Sequence, residues 1–169
     1  LEYVKDSRGA GLPANIEVHE IFMKTGDYLG NGAAQRDYIS SNYTHIARDM
    51  ALQGMNVIAQ AVAARGEGDT LRLSLSSNPD VIFEGKEKFA AMGLPLLCIG
   101  VVNRQMPFMP NTAEVAPDFF DIVVTDVVMP EMDGPTMFRE LRKTNPTIKV
   151  IFVSGYPNEA FRETLGTEE

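Results

Sequence analysis

Tryptophan is absent from this 169-residue chain, cysteine occurs once and histidine twice. A single cysteine, Cys98, leaves no partner for an internal disulfide and fits a reducing compartment. His19 and His45 stand too far apart for a metal motif of the H-E-x-x-H kind, and lone histidines are more often structural than ligating. Basic residues are outnumbered, 15 Lys and Arg against 23 Asp and Glu, for a net charge of -8. No basic stripe exists to replace phosphate counterions, which argues against nucleic acid as a partner. No run approaches the roughly 20 apolar residues that span a bilayer, and no signal-peptide pattern opens the chain. The expectation is a cytoplasmic protein without a membrane partner. Leu1 in place of an initiator Met fits a fragment, a processed form or an engineered piece.

What is present is globular in balance, with 44% hydrophobic and 22% charged residues. Short apolar runs alternate with amphipathic stretches, the pattern of an α/β protein. Strands are expected at 16–23, 56–62, 71–76, 95–102, 119–125 and 148–153, and helices at 44–53, 80–92, 134–144 and 157–165. The last three strand candidates are nearly continuous apolar runs, as for strands covered on both faces. The fold class expected is therefore a mostly parallel sheet flanked by helices, a three-layer α/β/α arrangement. Asp133 can cap the helix at 134–144, Pro135 suits its first turn, and Asn145-Pro146 stops it. Gly30-Asn31-Gly32 and the irregular stretch 103–117 read as loops.

The stretch DIVVTDVVMPEMDGP, 121–135, carries the clearest chemistry. Asp126 ends an apolar strand, at the edge where α/β sheets place ligands, and a carboxylate there can attack a phosphoryl group to form an acyl phosphate. An isolated strand-end Asp is more often a turn residue. The neighbouring letters, DVVMPEMDGP followed by MFRELRK and IKVIFVSGYPNEAF, resemble the receiver domain of two-component signalling proteins, above all those of hybrid sensor histidine kinases. The resemblance covers about 50 residues. It implies Asp126 as phosphoacceptor, Val128 as a metal ligand through its backbone carbonyl beside Asp126, and Ser154 as the hydroxyl that senses the phosphoryl group. It further implies Mg²⁺ and a histidine kinase or phosphotransfer protein as partner. Tyr156 falls near, not on, the aromatic switch position. The acidic pair of the family's first strand has no counterpart among Asp69, Asp80, Glu84 and Glu87, and no lysine-bearing fifth strand follows. Mg²⁺ binding is accordingly expected to be weak or absent.

Upstream, no nucleophile–base constellation is visible, and Cys98 reads as a buried small hydrophobe. In SLSSNPD, residues 74–80, a strand end meeting a helix start offers either N-capping or an anion cradle, capping being the plainer reading. The segments HEIFMKTGDYLGNGAAQRDYISSNYTHIARDM, NVIAQAVA, LSLSSNPDV and VNRQMPFMPNTAEVAPDFFDIVV resemble acetyl-CoA hydrolases and acetate-type CoA transferases over about residues 16–124. That likeness implies CoA or an acyl-CoA as ligand, with Asn103, Arg104, Gln105, Met106 and Pro107 bordering the acyl-CoA cleft. The family's catalytic glutamate belongs to a later domain that is missing here, so covalent catalysis is not supported.

The two resemblances meet at 118–126, where FDIVV satisfies both, and suggest a fusion: residues 1–117 CoA-transferase-like, residues 118–169 receiver-like. Three functional classes follow. One is a CoA-thioester enzyme needing a separate catalytic domain, one a receiver phosphorylated on Asp126, and one an α/β fold without catalysis. Incomplete cores would favour self-association.

Overall fold

The computed structural model describes residues 13–21, 25–66, 70–76, 78–103, 105–127 and 133–154. The helix expected at 157–165 lies outside them. Backbone contacts divide the chain into two units, 1–49 and 50–169.

The first unit is held by local devices. Helix α1, Gly32–Asp37, starts where the glycines suggested only a turn, because the Asn31 side chain accepts the Ala34 N–H at 3.1 Å and caps it. Tyr28 is buried, its ring set edge-on to Tyr38 at 6.2 Å, and its carbonyl accepts the Gln35 amide. The strand expected at 16–23 is reduced to a single bridge between Glu20 and Tyr38; residues 22 and 23 lie outside the described part. His19 pairs with Glu17 at 3.0 Å. A 3₁₀ turn at Tyr43–His45 leads into helix α2, Ile46–Leu52, which crosses the boundary between the units.

The second unit contains the α/β architecture, a mostly parallel six-stranded sheet with flanking helices. Its strands are β1 (Val57–Arg65), β2 (Arg72–Ser74), β3 (Leu97–Val102), β4 (Glu114–Val115), β5 (Ile122–Asp126) and β6 (Lys149–Val153), and its helices are α3 (Asp80–Ala91) and α4 (Gly134–Thr144). The spatial order is β4-β2-β1-β3-β5-β6. Strands β1, β3, β5 and β6 run parallel, while β2 is antiparallel to both β1 and β4. Residues on either side of position 118 thus belong to one sheet. Strand β4, only two residues long, lies inside the stretch read as irregular.

The parallel strands follow one another across the sheet in chain order, with no reversal. Crossovers between parallel strands are right-handed in nearly all cases, so a sheet wound in one direction receives its helices on one face. The packing agrees. An added Cβ at Gly85 of α3 would meet Ile58 at 2.9 Å, and Phe138 of α4 packs edge-on to Phe152 at 5.8 Å. Ile82, Met137 and Leu141 from the helices join Ile58, Val62, Cys98, Val102 and Val123 from the strands in one buried cluster. Burying such side chains is worth about 1.5–3 kcal/mol each, the dominant favourable term.

On the opposite face several strand side chains of the described residues are open to solvent. Val57, Leu97, Val101, Ile151 and Val153 are exposed by 36 to 55%, and Ala59 and Ala61 are exposed as well. Pairing sets them in rows, Ala59 with Ile99, Ile122 and Lys149, then Ala61 with Val101, Val124 and Ile151.

Candidate functional site

The segment around Asp126 is built from close approaches that explain its letters. Asp133 accepts the Thr136 N–H at 2.7 Å and caps α4 as expected. That hydrogen bond is also the main reason its carboxyl is held below the usual range, against partial burial that acts the other way. Gly134 follows because nothing larger fits. A Cβ there would lie 2.3 Å from the Asp126 carbonyl oxygen and 3.2 Å from the Phe152 ring. Its N–H donates to the Val127 carbonyl at 3.1 Å, and the Val127 N–H donates to the Val153 carbonyl at 3.0 Å. The end of β5, the start of α4 and the end of β6 are thus tied to one another, and residues 128–132, Val128 among them, lie outside the described part.

Asp126 is exposed at the C-terminal end of β5, and register sets it beside Val153. Ser154 follows Val153 directly and is exposed. The carboxylate and the hydroxyl therefore share one edge of two adjacent parallel strands, where ligands of such sheets bind. The upstream strand hydrogen-bonded to β5 is β3, which ends on Val102-Asn103 and not on two acids.

Mg²⁺ asks for a near-octahedral oxygen set, usually one or two carboxylates completed by waters and phosphate. At this edge Asp126 is an exposed carboxylate, while the neighbouring Asp133 carboxylate is engaged in capping α4. The Asn103 side-chain oxygen is already engaged by the Gln105 N–H at 2.9 Å. Among the described residues no group of three His, Cys, Asp or Glu could hold a metal ion. The described residues alone do not complete an oxygen set for Mg²⁺.

The segment that the CoA-transferase likeness assigns to an acyl-CoA cleft forms a turn. Asn103 donates its N–H to Val62, and its carbonyl accepts the Met106 N–H, forming a turn with Gln105. The Pro107 carbonyl accepts the Ser76 hydroxyl at 2.9 Å. Arg104 lies outside the described residues. A cavity of about 410 Å³ opens beside this segment, lined by Arg65, Gly66, Thr70, Arg72, Phe108 and Glu114 but by none of Asn103, Gln105, Met106 or Pro107. Arg65 stacks on Phe108 at 5.0 Å, and Arg72 approaches Glu114 at 3.6 Å.

The described serines before α3, Ser74 and Ser76, are engaged elsewhere. Its N-cap is Pro79, with no side-chain hydrogen bond. Ser74, fully buried, donates to the Met109 carbonyl at 2.8 Å and accepts the N–H groups of Met109 and Ser76. Ser76 is held at φ 55° by this arrangement. Both hydroxyls are hydrogen-bonded within the protein. Asp121 was not foreseen from sequence. Its carboxylate accepts the Cys98 N–H at 2.7 Å and joins β3 to the entry of β5. The only signal was a charged letter at the start of an apolar strand. Cys98 is buried as expected, and burial pushes its thiol up.

Comparison with known proteins agrees with one of the two resemblances. The response regulator receiver domain family matches residues 110–166, about a third of the chain. The chain is 73% identical over 45 residues to the Sensor kinase CckA of Brucella abortus, a match covering 27% of this chain and 5% of that protein. It is 40% identical over 37 residues to the Response regulator receiver protein CpdR of the same organism, covering 22% of this chain and 31% of that protein. The chain thus spans less than a third of the length of these relatives. No solved structure matches. These matches support a receiver-type segment of two-component signalling and lend nothing to the acetyl-CoA hydrolase or CoA-transferase likeness.

Proposed function

We propose that the chain carries the phosphoacceptor portion of a two-component receiver, with Asp126 as the residue phosphorylated and Ser154 as the hydroxyl that meets the phosphoryl group. The observation that carries this reading is the register of Asp126 with Val153, which brings the carboxylate and Ser154 to one strand edge. The receiver family's match to residues 110–166 and the likeness to part of a sensor kinase support it. The phosphodonor is a phosphohistidine on a kinase or a phosphotransfer protein. A carboxylate oxygen of Asp126 attacks phosphorus, the bond to the donor nitrogen breaks, and the imidazole leaves with that electron pair. Backbone ties at Val127 and Gly134 hold the nucleophile's strand end in place, which lowers the cost of orientation. Among the described residues few charged groups stand at this edge to neutralise the transferring group, so the isolated chain reacts slowly. Neither the geometry of residues 103 and 105–107 nor the comparisons favour a CoA-thioester activity.

The test is incubation with acetyl phosphate, followed by intact mass. The expected result is slow gain of one phosphoryl group, little changed by Mg²⁺ or chelator, and lost in Asp126→Asn. No gain after prolonged incubation, or equal gain in the variant, overturns the assignment.

A further inference from the structure

The cavity where β1 turns into β2 has a wall that the two buried serines hold in place. Ser76 donates to the Pro107 carbonyl at 2.9 Å, while Ser74 donates to the Met109 carbonyl at 2.8 Å and accepts the Met109 N–H at 3.0 Å. Phe108 is therefore clamped between two anchored residues, and its half-buried ring lines the cavity. Arg65 lies over that ring at 5.0 Å. A guanidinium held over an aromatic face keeps its in-plane N–H donors for a third group. Gly66, at φ 82°, completes this side: an added Cβ would overlap the Thr70 carbonyl, so the chain closes tightly there.

Register supplies the charge. Arg65 on β1 stands directly opposite Arg72 on β2. Such pairs point to one face with Cβ atoms about 5 Å apart, and like charges set opposite each other are destabilising. A protein with 23 acidic and only 15 basic residues thus places two cations side by side on one cavity. Glu114, which meets the Arg72 Nε at 3.6 Å, is the one carboxylate among the described lining residues. A dianion between the two guanidiniums would turn their repulsion into attraction.

We infer that this cavity binds a small organic phosphate, its phosphate monoester group held by Arg65 and Arg72 and its organic part lying along Phe108. Two guanidiniums ask for two negative charges and more than two acceptor oxygens, which a phosphate monoester supplies and a carboxylate does not. The volume of about 410 Å³ falls in the range of small-molecule pockets, with room for an organic group beside the phosphate. Arg65 is exposed and Arg72 is 44% exposed, so affinity is modest, in the millimolar range, and falls as salt is raised. All of these residues belong to the second unit, and the inference does not depend on phosphorylation of Asp126.

Phenyl phosphate titrated into the full chain at neutral pH and low salt, followed by amide chemical shifts, tests it. Saturable shifts are expected at Gly66, Thr70, Arg72 and Glu114, with benzoate binding more weakly. Arg65→Gln should weaken phenyl phosphate about tenfold, the loss of one charge-assisted hydrogen bond, with the circular dichroism spectrum unchanged. Phe108→Leu should weaken phenyl phosphate more than inorganic phosphate. No saturable shift at these residues in the millimolar range, equal binding by Arg65→Gln, or benzoate as strong as phenyl phosphate overturns the inference. Residues 67–69 lie outside the described part and include Glu67 and Asp69. Binding seen only when these are changed to Gln and Asn would show that the arginines serve the chain's own acids, and overturns it equally.

Discussion

Replacing Gly134 by alanine isolates the contact on which the candidate site is built. The new methyl carbon would stand 2.3 Å from the Asp126 carbonyl oxygen, where real Cβ atoms essentially never come closer than 3.0 Å to another heavy atom. The carbonyl cannot withdraw cheaply, since it is backbone at the end of β5 and the next residue is tied to β6 through Val127 and Val153. The other neighbour, the Phe152 ring at 3.2 Å, is itself packed against Phe138. The start of α4 must therefore move outward, stretching the hydrogen bond from Gly134 to Val127. Overpacking of this kind costs about 1–3 kcal/mol. Alanine recovers part of this through helix propensity, at most about 1 kcal/mol in a helix interior and less at its first residue. A net loss of about 1–2 kcal/mol, at about 2–4 °C for each, lowers the thermal midpoint by about 2–8 °C. Thermal and urea denaturation followed by circular dichroism read this directly. A midpoint unchanged or raised would refute the close approach and with it the reason for glycine in this motif.

Two further substitutions probe the surrounding structure. Ser74→Ala removes a buried hydroxyl that serves three backbone partners, so Met109 and Ser76 lose hydrogen bonds in a dry setting. A destabilisation of about 1–3 kcal/mol is expected in urea denaturation, with Ser74→Thr milder than Ser74→Ala. Asp133→Ala should cost about 1 kcal/mol as a lost helix cap, while Asp133→Asn keeps an accepting oxygen. The Asp133 carboxyl is depressed in the folded protein, so its charged form contributes stability above the unfolded carboxylate value of 3.8, and this is lost as pH falls through the lower folded value. Urea midpoints of the native protein and Asp133→Asn should therefore converge as the solution is acidified below that value; a constant gap would remove the carboxylate from this role.

Local chemistry was legible in the letters and long-range pairing was not. Helix α4 lies over the residues expected, 134–144, because its cap, its proline and its stop are all nearest-neighbour signals. The candidate phosphoacceptor edge could be read for the same reason, since Asp126 and Ser154 each end an apolar run. Helix α1 was missed because one asparagine between two glycines looks like a turn until its side chain is seen to cap Ala34. Strand β4 was missed because two residues carry no period, and only Leu73 and Ser74, far upstream, define it. The exposure of strand side chains on the second face, among the described residues, could not be foreseen either. Continuous apolar runs state that both sides are suited to burial, whereas the direction in which the sheet winds decides which side receives helices. That direction depends on pairings between residues some forty positions apart, such as Val57 with Leu97.

The exposed apolar rows of the sheet also bear on the colloidal behaviour of the protein. At neutral pH its charge of -8 keeps molecules apart, but the isoelectric point is about 4.8. Near that pH the repulsion vanishes while the apolar rows on β1, β3, β5 and β6 keep their attraction, so precipitation should set in on mild acidification well before unfolding. The five exposed aliphatic side chains of the sheet contribute to the margin between soluble and insoluble, and polar replacements there widen it without touching the buried cluster on the other side.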